Sequence, residues 1–90
     1  MLEEFENGKL PMGYDSFEMM FQWGKEWISI VVVPMKDGLN LQHYVVRLPN
    51  DLIVILRKNE IGEWEELKEG STELARHLGS AIHDYYALSN

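Results

Sequence analysis

Between residues 17 and 67 the chain alternates apolar and polar residues in short runs, and from residue 71 the period lengthens to that of a helix. Phe17, Met19, Phe21 and Trp23 fall on one side of a strand, with Glu18, Met20 and Gln22 on the other. Gly24-Lys25 follows, and a glycine at the first position of a two-residue loop suits a type II′ hairpin turn. That turn sets Phe21 opposite Ile28, Met19 opposite Ile30 and Phe17 opposite Val32. Turn chemistry and hydrophobic pattern thus demand the same register. The expected strands are 17–23 and 26–34, the second ending at Pro34.

Lys36-Asp37-Gly38 reads as a type I turn whose glycine takes the left-handed position of a bulge. On that register a strand over 41–48 turns Tyr44, Val46 and Leu48 inward, and His43, Val45 and Arg47 outward. A plain two-residue Asp37-Gly38 turn would exchange the two sets. Pro49-Asn50-Asp51 then leads into a strand over 52–58, with Leu52, Val54 and Leu56 inside. Asn59–Gly62 turns once more into a short acidic strand, 63–67, around Trp64. Charge on such a strand discourages edge-to-edge pairing.

The helical stretch runs over 71–88. Leu74, Ala75, Leu78, Ala81, Ile82, Tyr85, Tyr86 and Leu88 share one broad arc; Glu73, Arg76, His77, Ser80, His83, Asp84 and Ala87 fill the other. Ser71 or Thr72 can cap the first turn, where Glu73 meets the positive end of the helix dipole. Gly79 lies inside the helix at a cost of roughly 1 kcal/mol against alanine, which points to a helix backbone seated tightly on the sheet, the alternative being close approach of a ligand or partner. The expected fold is α+β: a five-stranded antiparallel meander with one C-terminal helix packed on one face. Residues 1–16 read as a mobile or loosely docked segment ahead of a single domain, 17–90, although Leu2, Phe5, Leu10, Met12 and Tyr14 could cover exposed sheet.

Charge narrows the partners. Fifteen acidic against eight basic residues leave a net charge of −7, and Glu60, Glu63, Glu65, Glu66, Glu69 and Glu73 concentrate much of it. Such a field repels nucleic-acid phosphates and anionic membranes. Cysteine is absent, which removes disulfides and thiolate chemistry. The opening Met-Leu-Glu-Glu lacks the pattern of a signal peptide, and the longest apolar run, Ile28–Val33, is too short to span a bilayer. The expectation is a cytosolic protein.

Catalytic signatures are missing: there is no P-loop, G-x-G-x-x-G, H-E-x-x-H or G-x-S-x-G. A zinc site from His43, His83 and a carboxylate, or a Ser80–His83–Asp84 relay, lacks supporting spacing. The sequence therefore predicts no catalytic residues, no metal and no cofactor. One face of the sheet asks for an explanation beyond folding. A single helix leaves the opposite face uncovered, and there Trp27, Val31, Val33, Val45, Ile53 and Ile55 form an apolar patch flanked by Arg47 and Arg57. The expected function is a protein-interaction module, most simply a homodimer closed through that patch. The alternatives are an acidic inhibitor or immunity-type protein docking a basic partner through 60–69, and a small-ligand carrier with a pocket between Tyr85-Tyr86 and the sheet.

Overall fold

The computed structural model describes residues 16–36 and 42–89. The N-terminal segment as far as Asp15 and the turn at Asp37-Gly38 lie outside them. Five strands, β1 (Phe17–Trp23), β2 (Glu26–Lys36), β3 (Gln42–Arg47), β4 (Ile53–Lys58) and β5 (Trp64–Glu66), form one antiparallel sheet in the order β1-β2-β3-β4-β5. A single helix, α1 (Glu73–Ser89), follows them. This is the α+β meander that the alternation predicts.

The first hairpin has the expected register, with Phe21 opposite Ile28, Met19 opposite Ile30 and Phe17 opposite Val32. Gly24 takes φ +65° in the turn, a conformation that glycine adopts without Cβ strain. Val32 then pairs with Val46, and Val46 with Val54, which puts Tyr44, Val46, Val54 and Leu56 on the same face as Ile30. The sidedness of the third strand is therefore the one expected from a bulged turn after Lys36.

Several element bounds shift by one or two residues from those expected, with β3 and β5 shorter and α1 starting later than read from the pattern, and two shifts have a clear physical reason. β2 continues through Pro34 to Lys36, because the last β1 partner is Phe17 at Val32. Past that point one side of β2 has no neighbouring β1 residue, so the N–H that Pro34 lacks is not needed there. β4 begins at Ile53 rather than Leu52, after a 3₁₀ turn over Pro49–Asp51 in which Asn50 and Asp51 take φ of 67° and 60°. Leu52, expected inside, is 57% exposed. It lies beyond the last ladder pair, Arg47–Ile53, at the end of the sheet.

The core fills the space between sheet and helix with Phe21, Ile30, Val32, Val46, Leu48, Val54, Leu56, Ala75, Leu78 and Ile82. Leu78 and Ile82 are fully buried, and burying each such side chain contributes about 1.5–3 kcal/mol. Leu88, assigned to the apolar arc by sequence, is 88% exposed. It follows Ile82 by six residues, which at about 100° each carries it well off the buried face.

The helix is anchored at both ends. Thr72 Oγ1 accepts the Ala75 N–H at 3.0 Å and donates to Glu66 Oε2 at 2.5 Å, tying the first turn to β5. Glu66 and Gly70 exchange backbone hydrogen bonds of 2.8 and 2.9 Å, with Gly70 at φ +77°. Toward the other end, Tyr85 stacks on Phe17 with ring centroids 3.9 Å apart and planes 2° from parallel. His77 meets Trp23 edge-on at 5.5 Å. The helix thus runs antiparallel to β1, from the Trp23 end to the Phe17 end.

Candidate aromatic cleft

Where β3, β4 and β5 pass beneath the C-terminal half of α1, the inner face opens into a cleft of about 1070 Å³. Tyr44, Trp64, Ile82 and Tyr86 line it, and Gln42, Lys58, Glu60, Ile61 and His83 surround them. Trp64 is set by its contact with the helix. A Cβ added to Gly79 would lie 2.1 Å from two atoms of the indole, so residue 79 must be glycine for the ring to lie where it does. The tight seating expected of Gly79 is thereby explained, with Trp64 as the group received.

Tyr44, on the same sheet face, brings its ring to 5.4 Å from Trp64 and 6.4 Å from Tyr86. Partial burial raises the Tyr44 hydroxyl above its usual pKa of 10.0 by desolvation of the charged form. At neutral pH it is a phenol, able to donate and accept a hydrogen bond. The rim is held by the turn after β4. Asn59 Oδ1 accepts the backbone N–H groups of Ile61 at 3.1 Å and Glu63 at 2.9 Å, while the Asn59 N–H donates to the Glu63 carbonyl at 2.8 Å. This closed turn presents Ile61 at 79% exposure beside the cleft.

Charge around the cleft is arranged unevenly. The Arg57 guanidinium donates to Glu65 at 2.8 Å across the outer face of β4 and β5, so that cation is matched away from the aromatic rings. Lys58 instead lays its ammonium over the Trp64 ring, 5.3 Å from the centroid, a cation–π contact. Glu60 stands at the rim, and Glu63 and Glu66 follow within the same acidic stretch.

The expected interface residues all map to the opposite face, through the pairings Gln22–Trp27, Val31–Arg47–Ile53, Val33–Val45–Ile55 and Arg57–Glu65. The structure brings them together on one surface, but they are not equally available. Trp27 is 63% exposed, whereas Val33 and Val45 are buried in the single chain at 2% and 0%. Neither belongs to the cluster beneath the helix. Val31, Arg47, Ile53, Ile55 and Arg57 are half-buried.

His43, also on that face, is buried, while His83 stands exposed on the helix across the sheet, its Nδ1 3.6 Å from Asp84. The sheet separates the two histidines. Among the described residues no three His, Asp or Glu side chains gather in a way that could hold a metal. No described helix is long and apolar enough to cross a membrane.

The sequence pattern points to a pocket between Tyr85-Tyr86 and the sheet, and the pair divides. Tyr85 stacks on Phe17, while Tyr86 lines the cleft. Tyr44 and Trp64 were legible only as inward or strand residues. The available signal was the conjunction of a mid-helix glycine with a tryptophan on an otherwise acidic strand. In comparisons with known proteins the chain matches no family model, no curated protein and no solved structure.

Proposed function

We propose that this chain is a cytosolic, non-catalytic protein-interaction module that receives a basic partner at the aromatic cleft and the acidic turn beside it. The observation that carries this reading is the grouping of Tyr44, Trp64 and Tyr86 around an open cleft with Glu60 at its rim. Aromatic rings supply large contact area with few rotamers to fix, and they are enriched at the centres of protein interfaces. A net charge of −7 steers positively charged partners toward the chain and repels acidic ones. The test is calorimetric titration of the full chain with an eight-residue alternating Gly-Arg peptide and its Gly-Glu counterpart. The Gly-Arg peptide binds, weakens as salt rises, and loses affinity for Tyr86→Ala. Equal behaviour of the two peptides, or none from either, contradicts the reading.

A second reading is self-association through the outer face, favoured by the 63% exposure of Trp27 and the 53% exposure of Met20 on the β1–β2 hairpin. It has lost the centre of its patch, since Val33 and Val45 are already buried in one chain. Sedimentation of the full chain and of Val31→Glu separates the two. A micromolar dimer broken by Val31→Glu supports self-association; a monomer in both cases removes it.

A further inference from the structure

We infer that the exposed side of the Trp64 ring is a receptor for a single cationic side chain of the partner, an arginine, and that Lys58 occupies this place as an internal stand-in. The inference rests on the cleft being the working surface, and it adds which chemical group is read there.

Three observations converge. Trp64 is backed by the helix: the absent Cβ of Gly79 leaves room for the indole, so part of the ring is packed and the rest faces the cleft. That accessible part already holds a cation, the Lys58 ammonium at 5.3 Å. Tyr44 and Tyr86 add tilted rings at 5.4 Å from Trp64 and 6.4 Å from Tyr44, so a group over the indole meets further π-faces. Ring quadrupoles attract cations most strongly at tryptophan, and guanidinium is the cation most often found there, because it is planar and weakly hydrated.

The nearby charges agree with this choice. Arg57 is matched by Glu65 at 2.8 Å and does not oppose an incoming cation. Glu60 on the rim offers a carboxylate to the free N–H groups of a guanidinium. Lys58 is exposed at the end of β4, so its four-carbon stem can swing away when a better-shaped cation arrives. Exchange of one cation for another leaves the charge over the ring unchanged, which makes the cleft selective for cations without requiring an empty pocket.

The experiment uses the full chain labelled with ¹⁵N, titrated with N-acetyl-arginine amide, N-acetyl-citrulline amide and N-acetyl-glutamate amide. Citrulline keeps the shape of arginine and removes its charge. The Trp64 indole N–H signal shifts with the arginine amide, with an affinity about three- to fivefold above that for citrulline. Lys58→Gln tightens arginine binding about threefold or more, whereas Lys25→Gln, which removes the same charge at the β1–β2 turn, leaves it nearly unchanged. Tyr86→Ala weakens it, and so does Trp64→Phe, which keeps an aromatic ring for the helix to pack on and is read from the backbone N–H signals of Tyr44 and Lys58. Equal binding of citrulline, preference for the glutamate amide, or weaker binding in Lys58→Gln each overturns the inference. If the arginine amide shifts only the backbone of Glu63–Glu69 and leaves the Trp64 indole still, the cation site is wrong. The acidic turn would then be the docking surface, and the broader proposal of a basic partner would stand.

Discussion

Gly79 and Trp64 touch so closely that a methyl group on residue 79 would come within 2.1 Å of the indole ring. This one contact joins the helix to the last strand and shapes a wall of the cleft. Gly79→Ala should gain about 1 kcal/mol in helix propensity and lose more through overpacking, which typically costs about 1–3 kcal/mol. Because the neighbour is a large ring packed between helix and sheet, the net effect expected is destabilisation. A urea midpoint for Gly79→Ala at or above that of the wild type would show that Trp64 does not lie against the helix backbone.

The helix closes the core through Leu78 and Ile82, both fully buried. Leu78→Ala and Ile82→Ala should each cost roughly 2–5 kcal/mol, a large part of what a domain of this size possesses. Circular dichroism during thermal unfolding reads the effect. Wild-type stability in both variants would mean that the helix is not what covers Ile30, Val46 and Val54.

Thr72 both caps the helix and hydrogen-bonds Glu66. Thr72→Val keeps the shape and removes the hydroxyl, with an expected loss of about 0.5–2 kcal/mol. Thr72→Ser should recover most of it. Equal melting temperatures for the valine and serine variants would indicate that the hydroxyl bonds contribute nothing measurable.

Tyr44 makes the fold less stable as pH rises into the alkaline range. Its folded pKa is raised by burial, so the folded state disfavours the phenolate more than the unfolded chain does. The stabilising contribution of the neutral phenol is complete below the unfolded pKa near 10.0 and is lost as pH rises through the higher folded value. Tyr44→Phe should therefore lose less stability than the wild type between neutral pH and the region above pH 10. Parallel stability curves for the two proteins would count against a desolvated phenol at this position.

Much of the fold was legible because two independent kinds of signal coincided. In the first hairpin, Gly24 and the alternation from Phe17 to Val32 each demanded the same pairing, and the observed register is that one. The helix was legible from period and cap, with Thr72 chosen from two candidates by its bond to Ala75. Sites were harder to read, because a residue's sidedness does not reveal its cover. Val33 and Val45 were rightly placed on the outer face, yet burial removes them from any free patch. The cleft was legible only as a pocket between Tyr85-Tyr86 and the sheet, because Tyr44, Trp64 and Tyr86 are far apart in sequence and only packing brings them together. Leu52 is exposed because the alternation continues past the last ladder pair, and Leu88 because it lies about 120° around the helix from Ile82.

The three indoles report on three different surfaces. Trp64 lines the cleft, Trp27 stands 63% exposed on the outer face, and Trp23 leans on Phe21 at 6.1 Å near the end of β1. Following their side-chain N–H signals while the alternating Gly-Arg peptide is added to the full chain tests directly which surface does the binding. The Trp64 signal is expected to move in a saturable way while that of Trp27 stays where it was. Movement of Trp27 with a stationary Trp64, or three stationary signals at saturating peptide, would contradict it.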